Sequence, residues 1–124
     1  MATTENAVFE TFEAGADISA SQFRFVELAS DGQVDPVGTA GGNAVGVLYN
    51  LPAAAGRAAQ VAVTGRVKVV AGAAITRGAK VSSDNVGRAI TAVSTHHVQG
   101  RAVQAATAAG EVIEVELGTN GILA

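Results

Sequence analysis

The sequence predicts an all-β protein, a small barrel or sandwich of short strands with a flexible N-terminal arm. Three observations carry that expectation. Apolar residues alternate with polar or small ones in short runs, Gly-containing turn signals punctuate the runs at roughly ten-residue spacing, and no stretch has the spacing of an amphipathic helix. The densest case is residues 61–92, VAVTGRVKVVAGAAITRGAKVSSDNVGRAITA, which reads as a β meander.

Taken in order, residues 1–8 are polar and acidic without periodicity, so residues 1–15 are expected to form an arm, followed by a β domain at 16–118 and a tail at 119–124. Phe23 and Phe25 alternate with Gln22 and Arg24 and lead into Val26, Glu27 and Leu28, a strand that ends at the Asp31-Gly32 turn signal. Residues 33–37 suit a short return strand. Pro36 cannot donate to a ladder, which places that strand at an edge or in a loop. GTAGGN at 38–43 is a loop, Val45, Val47 and Tyr49 mark the next strand, and the Pro and Gly flanking residues 53–55 favour a loop there. In the meander, Gly65 and Gly72 divide the alternating valines into two strands, and Asp84-Asn85 and Gly87 separate two more. Residues 111–117 read as a closing strand with Ile113, Val115 and Leu117 on one face and acids on the other; Asn120-Gly121 marks a last turn.

At 124 residues the chain is one domain in length, and its apolar side chains are small: 26 Ala and 18 Val against five Leu and five Ile. Burial stabilises by roughly 25 cal/mol per Å², so such a core yields little per ordered residue and the chain is expected to oligomerise. Cysteine is absent, which removes disulfides and thiolate metal sites. The start, MATTENAVFE, has neither a basic region nor an apolar run, so no secretory signal is expected. Apolar runs fall far short of the roughly 20 residues a spanning helix needs, and a soluble protein without membrane contact is expected. The net charge of −3 conceals a segregation. Residues 1–35 hold seven acids and one base, and residues 36–110 hold seven bases and one acid, Asp84. Attraction between the leader and its own body, or a neighbour's, would steer assembly.

Chemistry-bearing clusters are sparse. His96 and His97 are adjacent, so on a strand they point to opposite faces, and no metal site or cofactor is expected. Ser82 and Ser83 before Asp84 read as turn chemistry rather than part of a catalytic triad, and no enzyme is expected. Four Gly-Arg pairs place Arg57, Arg66, Arg88 and Arg101 just after turn signals, either exposed at strand starts or engaged in subunit contacts. Single-strand nucleic-acid binding calls for aromatic side chains that stack on bases. Tyr49 is the only aromatic residue after Phe25, so no nucleic-acid partner is expected. Phe9 and Phe12, in an otherwise polar leader, are the candidate anchors of the arm.

The order Gly46-Val47, VAVTGRV at 61–67, AITRGAKV at 74–81, Gly87-Arg88, GRAVQAA at 100–106, Ala109-Gly110-Glu111 and Val115-Glu116-Leu117 resembles the tailed-phage capsid decoration, or cement, proteins. The resemblance covers about residues 16–118 as many weak matches rather than one sharp signature, and the leader is longer and more aromatic than the family pattern. It implies a small β domain, β-clip-like in shape, that forms homotrimers on the outer surface of an icosahedral head, binds the major capsid protein and reinforces it. It also implies a protein soluble in the host cytoplasm before assembly, with no catalytic residues. Phe9, Phe12, Arg57, Arg66, Arg88 and Arg101 are then the expected capsid or subunit contacts. A competing reading is an accessory module: residues 75–86 also resemble β-clip domains that hold a small sugar-like ligand on a shallow surface.

Overall fold

A computed structural model describes residues 4–118 and 121–123. Nine strands form one sheet: β1 (Glu5–Ala14), β2 (Phe25–Ser30), β3 (Gln33–Pro36), β4 (Gly46–Leu48), β5 (Ala58–Val70), β6 (Lys80–Ser83), β7 (Ala89–Thr91), β8 (Gly100–Ala102) and β9 (Val112–Leu117). A single 3-10 turn, Ser19–Ser21, is the only helical element among the described residues. The strand order is β1-β3-β2-β4-β5-β9-β8-β6-β7, and β1 also pairs with β5, which closes the first five strands into a ring. A bridge from Ala71 to Ala89 brings β7 back to the end of β5. The protein is all-β and sandwich-like, as the alternation and turn signals predict.

Two cores result, and β2, β4 and the first half of β5 form the wall between them. Phe25, Val47 and Ala62 are in register and belong to the larger core, with Val67, Val69, Val81, Ile113 and Val115. Their neighbours Val26, Leu48 and Val61 turn to the smaller core with Ala14, Ile18, Val34 and Ala59. Buried on both faces, the wall loses the polar-apolar alternation of a half-exposed sheet.

Gly65 does not end a strand, as its position between two alternating runs suggests; β5 runs through it as 13 residues. Its φ of +101° marks an irregularity in the strand, opposite the bulge that Asn6 and Ala7 make in β1, and a Cβ there would lie 2.4 Å from the Asn6 carbonyl oxygen. Together with the register shift at Val63, this irregularity changes which residues face inward. Before it Ala62 faces the larger core, and after it Val67 and Val69 do, although alternation from Ala62 would have turned Arg66 and Lys68 inward.

The leader also departs from expectation. Within the segment expected to be a free arm, residues 5–14 are β1, laid antiparallel along β5 from Glu5 opposite Arg66 to Glu13 opposite Ala58. Burial explains why the sequence conceals it: residues 8–11 are exposed on both faces, so no alternation marks the strand. β3 is likewise not at an edge but between β1 and β2. Pro36 is accommodated because β1 reaches only Gln33 and Val34, leaving no neighbour on that side to need its missing N–H. On β9 Ile113 and Val115 are buried as expected, but Glu114, placed on the acidic face, is also only 6% exposed. The predicted Asn120-Gly121 turn lies in part outside the described residues.

Candidate docking surface

Three of the five aromatic residues gather beside β5. Tyr49 is the hub: its ring meets Phe9 edge-on at 5.2 Å and Phe23 at 5.1 Å. Its hydroxyl accepts the Lys68 amide at 2.7 Å and shares a hydrogen bond of 2.7 Å with Thr4 Oγ1. The Lys68 ammonium stands 5.4 Å from the centre of the Phe23 ring, within cation–π range. Phe23 has φ +62°, a region bulky residues seldom enter. The backbone imposes it: the Phe23 amide donates to Leu48 O at 2.7 Å and its carbonyl accepts from Val70 N at 2.8 Å. Strain of this kind, of order 1–3 kcal/mol, persists where surrounding bonds over-determine the conformation.

Phe9 is therefore part of a three-ring cluster and still 37% exposed. Phe12, three residues on, lies half-buried against the smaller core. It also lines an open recess of about 440 Å³ with Thr11, Glu13, Asp31, Gly32, Gly56 and Ala58. The two rings do not form one anchor.

The four arginines of the Gly-Arg pairs fall into two kinds. Arg66 pairs with Glu5 and lies 3.5 Å from Glu114 Oε1; Arg88 Nε donates to Asp84 Oδ2 at 2.9 Å. Asp84 also accepts the Val86 and Arg88 amides at 3.0 and 2.8 Å, the turn chemistry its sequence position suggests. Arg57 and Arg101 are exposed and make no ion pair among the described residues. The structure brings Arg66 and Arg101 into one transverse row with Glu116 between them, and leaves Arg57 and Arg88 apart.

His96 lines a turn: its Nδ1 lies 2.7 Å from the buried Ser82 Oγ and 3.4 Å from the Val93 amide. Its ring lies where a Cβ on Gly41 would stand, at 2.3 Å. Among the described residues no three His, Asp or Glu side chains are grouped to hold a metal, and no helix is long and apolar enough to cross a membrane. Two exposed carboxylates have pKa values below the ordinary range because hydroxyls donate to them. Thr107 Oγ1 and then its amide bond Glu111, and Ser19 Oγ and then its amide bond Asp17.

Sequence reasoning missed Phe23, Tyr49 and Lys68 as one surface. Their one signal was Tyr49 itself, an isolated aromatic residue at the end of a strand.

The protein is thus a two-core β body that turns rings and charges outward and ties two of its four Gly-Arg arginines internally. The chain belongs to the phage cement protein family, whose model matches residues 3–117. It is thus a structural protein of the phage virion, of the capsid decoration class. Its fold is also similar to that of the head fiber gp8.5 N base of bacteriophage phi29. That crystal structure matches with a TM-score of 0.70 over 95% of this chain and 98% of that chain, at 19% identity. No curated protein matches this chain.

Proposed function

We propose that the protein binds the outer surface of an icosahedral phage head as a homotrimer, contacts the major capsid protein and stabilises its lattice. Family membership across residues 3–117 is the observation that carries this reading. The light Ala and Val composition supports association, since each buried side chain contributes little. Phe9, with its ring partly open beside Tyr49 and Phe23, supplies the apolar anchor, and Phe12 with Arg57 and Arg101 supplies contacts around the recess and along the charged row. Arg66 and Arg88, held in internal ion pairs, shape the surface that their neighbours present. Before assembly the chain is a soluble protein of the host cytoplasm.

Purified protein added to expanded heads that lack it tests the reading. Saturable binding and a higher temperature of capsid disruption are expected, with Phe9→Ala lowering occupancy even at temperatures where the free variant, its Tm reduced by loss of the Tyr49 contact, is fully folded. Heads that take up no protein at saturating concentration, or that bind it and rupture at the same temperature, contradict it.

A further inference from the structure

Strand register places five charged residues in one line across five strands. Lys80 of β6 is opposite Arg101 of β8, Arg101 is opposite Glu116 of β9, Glu116 is opposite Arg66 of β5, and Arg66 is opposite Glu5 of β1. Residues directly opposed in a ladder share a face. At one end the line is neutralised, by the Glu5–Arg66 ion pair. At the other, Lys80 and Arg101 face each other as like charges, both exposed and neither ion-paired among the described residues. Like charges directly opposite are destabilising.

Arg101 has Glu116 opposite it on its other side, but no acid stands opposite Lys80. Arg77, also exposed, sits on the adjoining turn, where Gly78 N donates to Ala102 O at 2.8 Å and Ala102 N to Ala79 O at 2.9 Å. The only acid between residues 36 and 110 is Asp84, already bonded to Arg88. Beside Lys80, whose carbonyl accepts the Ala92 amide, Val93 is 55% exposed and adds an apolar contact. The opposite character is found on the smaller ring. There Glu10, Glu13 and Asp31 are exposed, and Glu13 and Asp31 flank the Phe12 recess; Arg57 is exposed close by but does not line it.

We propose that the Arg77, Lys80 and Arg101 edge of one copy docks on the Glu13, Asp31 and Phe12 recess of the next copy, head to tail. This deepens the trimer reading and rests on it. Each copy carries both halves of the contact on different surfaces, which is the requirement for a heterologous interface, and a rotation that closes after three copies yields a ring. The second copy is the occupant because the complementary charge is on this same chain. An interface of this kind weakens with salt, since the Debye length falls from about 10 Å at 0.1 M to about 3 Å at 1 M.

Charge reversal on decorated particles tests it, with copies per site counted by reconstruction and folding checked by Tm. K80E/R101E and E13K/D31K are each expected to weaken three-copy assembly by about tenfold or more. The chain carrying all four changes is expected to recover it. Full three-copy occupancy in both double variants, or no recovery in the quadruple variant at wild-type Tm, overturns the contact and leaves the trimer reading standing. Isolated wild-type copies on the capsid overturn the trimer reading and this contact with it. Should a variant fail to fold, wild-type contacts between copies that are unaffected by about 1 M salt count against the proposal, and their loss supports it.

Discussion

The two cores differ in what they are built to do. The larger one is enclosed by the wall, β5, β9, β8 and β6, and holds Phe25, Ile75, Ile113 and most of the buried valines. The smaller one has Leu48 and Ile18 as its largest buried side chains, and is closed by a strand exposed on both faces through residues 8–11. Bases predominate around the first and acids around the second. The contrast teaches a division of burial: the larger core is covered on all sides, and the smaller ring is closed by a strand that buries little of itself. Both depend on β5, so the division is of surface rather than of folding unit.

Phe25→Ala tests that dependence with the largest expected effect. Phe25 lies on a strand of the smaller ring yet is fully buried in the larger core, and its truncation should cost about 3–5 kcal/mol. Denaturant unfolding should remain a single transition, moved to lower concentration. Two transitions, only one of them moved, would mean that the cores fold independently.

Gly65→Val acts where the two regions meet. A side chain there must take φ +101° and meet the Asn6 carbonyl, so strain of about 1–3 kcal/mol or more is expected, borne mainly by the β1–β5 pairing. Hydrogen exchange should speed up across β1 and leave β9 protected; uniform acceleration would remove the distinction between the regions. Asp84→Ala should lower stability by about 1–3 kcal/mol through the three hydrogen bonds its carboxylate accepts, without changing protection in β1.

The smallest effect is that of pH. The Glu111 pKa is lowered from 4.5 by the Thr107 hydroxyl and then the Thr107 amide, so its contribution is complete above the unfolded value and is lost as pH falls through the lowered one. Glu111→Gln should therefore flatten part of the fall in Tm between about pH 5 and pH 3. An unchanged slope would show that the Thr107 bond does not matter to stability.

Much of the larger core was legible in the sequence because its outer strands bury one face. Val67 with Val69 and Ile113 with Val115 alternate, and the Asp84 turn carries its own signature. The smaller ring was not. β1 lacks alternation because neither face is buried over residues 8–11, and Gly65 looks like a strand break because an irregularity within a strand and a turn use the same residue for the same positive φ. Phe9 stood out in a polar leader, but its meeting with Tyr49 and Phe23 depends on pairings across the chain that local patterns do not encode. The charged row is hidden for the same reason, since only strand register aligns Lys80 with Glu5.

A reconstruction of decorated phage heads tests the central claim most directly. The account predicts three copies in mutual contact around three-fold positions on the outer surface, with the Phe9 face or the recess at an interface. Density for single, separated copies, or a protein absent from the outer surface, would contradict it.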